Sequence, residues 1–304
     1  YSGDILLNAG TLALSGGYTN LGSGSIQANG GLLYFGNDVS SQSLTNDIVL
    51  NDDLVIERNN SVPGGGNTLL YGDLSGSGEL TFQKSDGSYG VALWLQGDNS
   101  GFNGALNIKH GWVLASSLNA LNQQNDVSIA NEAALAVDTN REVILGDLTG
   151  EGEVVLYDGT KVTVGTGNDA IFDGRFVQMS GTGDFEKVGT GSLTLTGTNA
   201  WNGRALLHGG STTVSAGKLI GSTSAFYDKD ITNNATVVFD QDTDGTYGGI
   251  MSGSGVLEKT GTGTVTLSGI NTYQGGTSLN EGILAISSDA NLGTGALNFN
   301  GGTL

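Results

Sequence analysis

Cysteine is absent from the 304 residues, and the chain contains one proline and two histidines. Without cysteine, no disulfide bond can lock a loop of the folded chain. Basic residues are also scarce: 11 lysines and arginines stand against 30 acidic residues, giving a net charge of −19. That charge argues against nucleic acid and anionic membranes as partners. No apolar run approaches the roughly 20 residues of a membrane-spanning helix, and no signal peptide is present.

Glycine, by contrast, is abundant, with 53 residues. An aromatic residue followed two positions later by glycine recurs at Tyr1, Phe102, Trp201 and Tyr273. Each time a second glycine stands nine residues after the aromatic, at Gly10, Gly111, Gly210 and Gly282. Apolar alternation then resumes, as in GILAIS at 282–287. The chain is therefore built from internal repeats.

A second landmark has an apolar residue, then Gly-x-Gly, then another apolar residue. It occurs as LSGSGEL (74–80), LTGEGEV (148–154), MSGTGDF (179–185) and MSGSGVL (251–257). Two copies, 180–203 and 252–275, run in step from end to end without a gap. From this register we expect Trp201 and Tyr273 to lie in equivalent corners.

Short alternating strands separated by glycine corners, with almost no helix-period segments, predict an all-β parallel β-helix of roughly 20 to 24 residues per coil. The core would contain ladders of residues such as Leu12, Val113 and Leu284, and corner asparagines would stack. A β-sandwich or barrel is the competing fold, but hairpin signals are sparse. We expect one solenoid over residues 1–304, with loop insertions near 54–72 and 85–102, and Trp94 in the second either in the core or exposed as a contact.

The longest repeat resembles the autotransporter-associated β-strand repeat of Gram-negative type V secretion passengers. One copy is formed by Gly253, Gly255, Leu257, Lys259, Gly261, Gly263, Val265, Leu267, Gly269, Asn271, Tyr273, Gly275, Gly276 and Thr277. A second runs from Gly181 through Lys187 to Gly203 and departs from the pattern at Arg204. The full pattern covers about a third of the chain, and weaker copies cover most of the rest.

This resemblance implies a right-handed parallel β-helix that is exported through the outer membrane and displayed on, or released from, the cell surface. The absence of cysteine is compatible with threading through a pore. Because the chain begins and ends inside repeats, we expect it to be a piece of a longer passenger. The export signal and any membrane anchor would then lie outside it, with no membrane contact by this piece.

Catalytic chemistry finds little support in the sequence. In the repeat register His110 and His208 replace ordinary corner residues, and no G-x-S-x-G motif exists for a serine hydrolase. Carboxylate pairs on neighbouring coils are harder to exclude. The candidates are Asp52 with Asp53, Asp147 with Glu151 and Glu153, and Asp184 with Glu186. We expect no enzyme and no cofactor, and we interpret these acids as solvated faces and corners.

One acidic motif, DQDTDG at 240–245, places Asp240, Asp242 and Asp244 at alternate positions before a glycine. This resembles the first half of a calcium loop, although Met251 stands where a bidentate glutamate would be needed. A weak surface Ca²⁺ site and an unliganded Asx-rich corner are both compatible with the motif.

Three functions follow from the sequence. The first is surface adhesion or self-association, as in autoaggregation and biofilm formation, with a second copy of the chain or a host surface protein or glycan as partner. The second is a passive stalk that presents a distal module, and the third is a carbohydrate-active β-helix enzyme. We favour the first, because long polar faces suit repeated lateral contacts.

Overall fold

The computed structural model describes residues 1–15, 18–19, 21–36, 41–59, 66–85, 91–197 and 210–304. Its strands stack as a β-solenoid with almost no helix, and all pairings between the described strands are parallel. The predicted all-β parallel β-helix is therefore confirmed. In the described part of the chain, no helix is long and apolar enough to cross a membrane.

The strands belong to five sheets, numbered here 1 to 5. Sheet 1 contains β1 (Ile5–Leu7), β4 (Ile26–Ala28), β7 (Ile48–Leu50), β10 (Leu74–Gly76) and β13 (Gly101–Phe102). Sheet 2, called the long sheet, has 14 strands: β2 (Thr11–Leu14), β5 (Leu32–Phe35), β8 (Leu54–Arg58), β11 (Leu80–Lys84), β14 (Leu106–Ile108), β16 (Val127–Ile129), β19 (Leu148–Gly150), β22 (Ala170–Phe172), β25 (Ser192–Leu195), β27 (Lys218–Gly221), β29 (Thr236–Asp240), β32 (Val256–Thr260), β34 (Thr277–Leu279) and β36 (Leu297–Phe299).

Sheet 3 contains β3 (Tyr18–Thr19), β6 (Gln42–Leu44), β9 (Thr68–Leu70), β12 (Val91–Leu95), β15 (Gly111–Ala115), β17 (Ala133–Val137), β20 (Glu153–Leu156) and β23 (Arg175–Gln178). Sheet 4 contains β18 (Glu142–Leu145), β21 (Thr160–Val164), β24 (Gly183–Lys187), β26 (Thr212–Val214), β28 (Ile231–Asn233) and β31 (Met251–Ser252). Sheet 5 contains β30 (Gly245–Tyr247), β33 (Thr264–Leu267) and β35 (Ile283–Ile286). A helical turn, α1 (Thr223–Phe226), and a 3₁₀ turn (Asp289–Asn291) complete the described elements.

The coils have three sides. In most coils a strand of sheet 1 or 4 leads into the long sheet, which leads into sheet 3 or 5 and back to sheet 1 or 4. One of the three described strands is missing in some coils, as between β15 and β16 or between β33 and β34. In the long sheet, the shortest described coil separates Leu219 from its partner Val237, and coils as long as that between Val55 and Thr81 also occur. Coil length therefore varies more widely than the repeat predicts. Only the long sheet continues through both halves of the chain.

The core lies inside the coils and is formed by alternate strand residues, as the polar–apolar alternation predicts. Val113 and Leu284 are fully buried, and Leu12 packs against the core from a partly exposed position. Aromatic side chains extend the ladders. Phe172, Phe176 and Phe185 form edge-to-face pairs with ring centroids 5.5 and 5.1 Å apart. Packing of this kind adds about 0.5–1.5 kcal/mol per pair beyond area burial.

Glycine forms the corners in two different ways. The four glycines predicted from the repeat adopt the left-handed region, with φ of 80° at Gly10, 82° at Gly111, 59° at Gly210 and 67° at Gly282. In the Gly-x-Gly landmark of the last copy, Gly253 has φ of 101°, whereas at the second glycine a Cβ atom would stand 2.3 Å from Asn233 Oδ1. The first glycine is needed for its conformation and the second for close approach of the preceding coil.

Asparagine ladders also form at corners, as predicted. The Asn29 side-chain amide donates to Asn8 Oδ1 at 2.8 Å, and Asn51 donates to Asn29 Oδ1 at 3.0 Å. Near the other end of the chain, Asn300 donates to Asn280 Oδ1 at 2.8 Å. Each amide thus satisfies part of the hydrogen-bonding capacity of its neighbour one coil away.

The register prediction needs a correction, because the two long repeat copies lie on different faces. Phe185 belongs to sheet 4, whereas its counterpart Leu257 belongs to the long sheet. From Phe185, three successive pairings within sheet 4 lead to Met251, and the chain then turns one corner before it reaches Leu257. Tyr273 is buried, while Trp201 lies outside the described residues. The repeat motif determines the shape of a corner, but it does not determine on which side of the solenoid that corner lies.

The side of the solenoid that sheet 3 forms in the earlier coils is built differently in the later coils. Sheet 3 ends at β23 and sheet 5 begins at β30; between them, α1 follows long-sheet strand β27. Ser222 caps this turn by accepting a hydrogen bond from Ala225 N at 3.1 Å, and Phe226 inserts into the core against Phe239. Within the predicted insertion 54–72, β8 and β9 are strands of the solenoid, and within 85–102 so are β12 and β13. The pairing of β12 with β15 shifts register between Val91 and Leu93. Residues 60–65 and 86–90 lie outside the described part.

The aromatic ladder gives a stability prediction. Phe176 is buried between Phe172 and Phe185, so Phe176→Ala should lower the free energy of unfolding by about 3–5 kcal/mol. The matched control is Ile171→Ala on the same coil, because Ile171 is 61% exposed and its loss should cost roughly 0.5 kcal/mol or less. Urea unfolding followed by circular dichroism measures both. An equal decrease in the free energy of unfolding for both variants would show that the stacked phenylalanine rings are not a main source of stability.

Candidate functional site

The acidic motif at 240–245 lies at the corner after β29, where its carboxylates bond to the next coil. Asp242 Oδ1 accepts hydrogen bonds from Thr262 N at 2.9 Å and from its hydroxyl at 3.1 Å. Asp244 Oδ1 accepts from Thr264 N at 2.8 Å, and Asp240 Oδ1 from the Thr260 hydroxyl at 3.0 Å. Within the described ranges, no group of three or more His, Cys, Asp or Glu side chains is placed to hold a metal ion. Calcium binding here stays a prediction.

The same contact recurs along the solenoid. An aspartate Oδ1 accepts a backbone N–H from a residue 20 to 27 positions later, one coil further on. The aspartates that do so are Asp4, Asp47, Asp53, Asp73, Asp126, Asp158, Asp169, Asp184, Asp228, Asp230, Asp242 and Asp244. These hydrogen bonds satisfy corner amides that the sheets do not reach. Much of the acidity of the chain therefore has a structural role.

The carboxylate pairs noted in the sequence are also engaged. Asp147 accepts from the Thr166 hydroxyl at 2.7 Å and from Asn168 Nδ2 at 2.9 Å, and Glu153 forms an ion pair with Arg175. Lys161 lies between Glu186, at 2.8 Å, and Glu142, at 3.0 Å.

The remaining candidates of that kind are corner residues. Asp53 and Asp184 cap backbone amides of the next coil, and Asp52 accepts from Asp53 N at 2.9 Å. Glu151 is an exposed corner residue after β19. His110 is half-buried at the corner between β14 and β15, and His208 lies outside the described residues.

The repeat lysine has a role that the sequence did not reveal. Lys187 and Lys259 occupy the same position in the two repeat copies, and both side chains are buried. Lys259 Nζ donates to the carbonyl oxygens of Thr260, at 2.5 Å, and Gly261, at 2.6 Å. Lys187 makes the corresponding bonds to Val188 and Gly189. Burial lowers the pKa of both amines, against the opposing effect of nearby carboxylates. Each ammonium ties the end of a strand to its corner.

Trp94 lies on the outer face of sheet 3, half-buried, at the margin of a second apolar cluster. The buried members of this cluster are Trp112, Leu114, Ala134, Ala136 and Val155. Of the two predicted positions for Trp94, the structure shows neither the main core nor a freely exposed contact.

The long sheet presents an outward row of side chains, here called the central row. Register pairings connect its members coil by coil: Leu32, Val55, Thr81, Asn107, Ser128, Thr149, Ile171, Thr194, Ile220, Val238, Glu258, Ser278 and Asn298. The step from Thr149 to Ile171 follows from the neighbouring pair of Gly150 with Phe172. Val238 is buried, Ile171 and Asn298 are exposed, and the other members are half-buried. At about 4.8 Å per coil the row is on the order of 60 Å long. Its charged member, Glu258, forms an ion pair with Lys218 at 3.0 Å. On a chain of net charge −19 this row is a stripe with a single charged member.

Corner aspartates border the stripe on the side where the chain enters the long sheet. Asp126, Asp147 and Asp169 each stand two residues before a member of the row. Their hydrogen bonds to the next coil hold them at the corner. The outer face of the long sheet thus combines a regular, flat, neutral centre with an acidic border.

Comparison with known proteins agrees with these repeats. Residues 185–220 and 257–286 match the family model described as passenger-associated-transport-repeat. The two matches begin at Phe185 and Leu257, the same position of the repeat, so they follow the copies that lie on different faces. The chain carries autotransporter passenger repeats. Both matches contain the buried corner lysine.

Over 61 residues the chain is 46% identical to "Adhesin BmaC autotransporter" of Brucella suis biovar 1 (strain 1330). The match covers 19% of this chain and 2% of that protein, so the chain spans only a small part of the length of this curated relative. No solved structure matches the chain.

The buried lysine of the passenger repeat gives a second prediction. Lys259→Ala should lower the free energy of unfolding by about 1–3 kcal/mol, because it leaves the carbonyl groups of Thr260 and Gly261 without their donor. Lys218→Ala is the matched control, since the exposed Lys218–Glu258 pair contributes about 0–1 kcal/mol. Urea midpoints of both variants test this. A Lys259→Met chain as stable as the parent would show that the ammonium is not required.

The corner aspartates give a third prediction, on pH. Hydrogen bonds from the backbone N–H groups of Thr262, Thr264 and Ser192 lower the pKa of Asp242, Asp244 and Asp169 below the ordinary value. A carboxyl whose pKa is lowered by folding stabilises the fold above its unfolded pKa, about 3.9, and loses that contribution as the pH falls through the folded pKa.

Acidification also reduces repulsion among the carboxylates, so a variant must isolate the corner contribution. Asp242→Asn with Asp244→Asn keeps an oxygen acceptor at each site but cannot titrate. Urea midpoints between pH 6 and pH 3 should fall more steeply for the parent than for this variant. Identical slopes would assign the acid sensitivity to other groups.

Proposed function

We propose that this chain is an adhesive or self-associating segment of a Gram-negative autotransporter passenger, displayed at the cell surface or released from it. Partner contacts would form on the outer face of the long sheet. The passenger-associated repeats support the class of protein, and the Brucella relative is named as an adhesin. The observation that carries the proposal is the central row, in which Glu258 is the single charged member.

The physical reason lies in the charge of the chain. Two rods that each carry a charge of −19 repel one another, so a close lateral contact needs a surface without carboxylates. The part of the row formed by Thr149, Ile171, Thr194 and Ile220 in consecutive coils has no carboxylate among its members. Their hydroxyl and methyl groups can bond to, or pack against, another flat surface. Each contact is weak, but the binding free energies of many such contacts along a rod add together.

The same face suits a host surface protein or glycan, so homotypic and host adhesion use one surface in this proposal. The stalk alternative is compatible with the regular coils, and the absence of settling or adhesion in a displayed parent chain would favour it. The enzyme alternative is weakened because the candidate carboxylates Asp147, Glu153, Asp184 and Glu186 are engaged in hydrogen bonds or ion pairs with neighbouring coils.

A pair of matched variants tests the proposed face, with the passenger displayed on a bacterium that does not settle by itself. Thr149→Asp with Thr194→Asp places two charges in the central row, and we expect settling and adhesion to fall at least about tenfold. Thr213→Asp with Thr232→Asp makes the same change in adjacent strands of sheet 4. This control should behave as the parent. Equal loss in both variants would contradict a role for the long sheet in particular.

Calcium at Asp240, Asp242 and Asp244 also remains a proposal. One oxygen of each carboxylate already accepts a hydrogen bond from the next coil, so only the other oxygens would serve a cation. We therefore expect binding no tighter than the millimolar range of weak extracellular sites. Calorimetric titration with CaCl₂ measures it, and Asp242→Ala should abolish the heat. The same heat from parent and variant would place any calcium elsewhere.

A further inference from the structure

A shallow groove of about 600 Å³ lies at the corner where several coils enter the long sheet. One side is formed by Asn103, Gln124 and Asp126, which precede β14 and β16. The other side is formed by Asn168 and Thr190, which precede β22 and β25. The groove therefore spans several successive coils along one corner of the solenoid. It adjoins the central row, because Asp126 stands two residues before Ser128, but it contains no member of that row.

The groove exists because one corner of the solenoid is irregular. Between β15 and β16 the chain forms no strand, and residues 116–126 form turns in place of a regular side. Ala120, Leu121 and Asn125 of this segment are buried, and Gln123 and Gln124 form an exposed projection. Gln123 Nε2 extends from this projection to donate to Gly165 O at 3.3 Å, two coils further along. Opposite the projection stand Gly167 and Gly189, which have no side chains. The exposed side chains on one side of the groove therefore face glycine backbone on the other side.

The polar groups in the groove offer both donors and acceptors. Asp126 uses Oδ1 to accept from Asp147 N at 2.8 Å, and Asn168 uses Nδ2 to donate to Asp147 Oδ2 at 2.9 Å. The other carboxylate oxygen of Asp126 and the amide oxygen of Asn168 are available as acceptors. Gln124 is exposed, and its side chain makes no hydrogen bond within the described part of the chain. Its amide group can both donate and accept.

We propose that this groove binds a neutral, polyhydroxylated ligand, in chemical terms an uncharged segment of a glycan. Neighbouring hydroxyls of a sugar donate and accept hydrogen bonds at once, as do the amides of Asn103, Gln124 and Asn168. The described lining contains one carboxylate and no lysine, arginine or histidine, so an anionic glycan would meet only repulsion. The volume falls within the roughly 300–1,000 Å³ of ligand sites, and its open shape implies weak binding.

The inference goes beyond the proposed adhesion, because it concerns a corner groove and a soluble ligand. The proposed adhesion and the proposed sugar binding can therefore be disproved independently of each other. Settling of displayed cells reports on the central row, whereas sugar binding by the purified chain reports on the groove.

Gly167 permits a variant that fills the groove without disturbing the fold. A Cβ atom at Gly167 would meet only the Thr190 hydroxyl, at 3.5 Å, which is ordinary contact, and its φ lies outside the left-handed region. Gly167→Leu should therefore fold as the parent does while occupying the groove. Gln124→Ala removes the uncommitted amide. Gln274→Ala, at another exposed glutamine on a distant coil, is the matched control.

The experiment titrates lactose, maltotriose and chitotriose, and sialyllactose as an anionic probe, into each purified chain by ligand-observed NMR. We expect at least one neutral sugar to bind in the millimolar range. Gly167→Leu should weaken it at least about tenfold, Gln124→Ala about two- to tenfold, and Gln274→Ala should leave it unchanged. Equal melting temperatures would confirm that Gly167→Leu is folded.

Three results would overturn the inference. The first is no binding of the neutral sugars at tens of millimolar, and the second is binding that survives Gly167→Leu. The third is tighter binding of sialyllactose than of lactose. The Thr149→Asp, Thr194→Asp chain adds an independent arm: unchanged sugar binding supports a separate groove, and its loss would place the sugar on the long-sheet face instead.

Discussion

In-register stacking of one coil on the next is the constraint on which the rest of this structure depends. A single coil has too few residues to bury its own apolar side chains, and its backbone amides find partners only in the coils before and after it. Every coil must therefore present the same outline at a spacing of about 4.8 Å. Second glycines of the landmark, such as Gly255, follow from this requirement, because any Cβ there would collide with the preceding coil.

The same constraint explains why so acidic a chain has its charge at corners. At a corner the backbone leaves the sheets, and some N–H groups no longer face a carbonyl of the preceding coil. A short carboxylate at the same corner accepts from such a group, as Asp73 does from Asp98 N at 2.7 Å. The short reach of aspartate suits this contact, and stacked charges such as Asp47 and Asp73 are each stabilised by a donated hydrogen bond. Buried lysines such as Lys259 have the complementary role, because they donate hydrogen bonds to corner carbonyls.

The sequence predicted the fold because corner and core chemistry is local. Positive φ at Gly10, Gly111, Gly210 and Gly282 and the buried ladder positions Val113 and Leu284 could be predicted from spacing alone. The face occupied by each repeat could not. It depends on the summed lengths of all intervening coils, and these lengths differ from one coil to the next. The role of the repeat lysine and the pairing of Asp147 with Asn168 were also hidden, because the spacing of motif residues carries no information on which hydrogen bonds a corner forms.

A consequence is that the repeat motif and the interaction surface are nearly independent of each other. Gly253, Lys259 and Tyr273 face corners or the core, and the same pattern builds a corner on whichever side of the coil it falls. The side chains that a partner could meet are the alternate strand positions, such as Thr149, Ile171 and Thr194, which stacking leaves free to vary. Members of such a repeat family can therefore share a fold through their motif residues while their surfaces differ completely. Matching the motif identifies the scaffold, whereas the surface side chains outside the motif differ from coil to coil and would have to specify any partner.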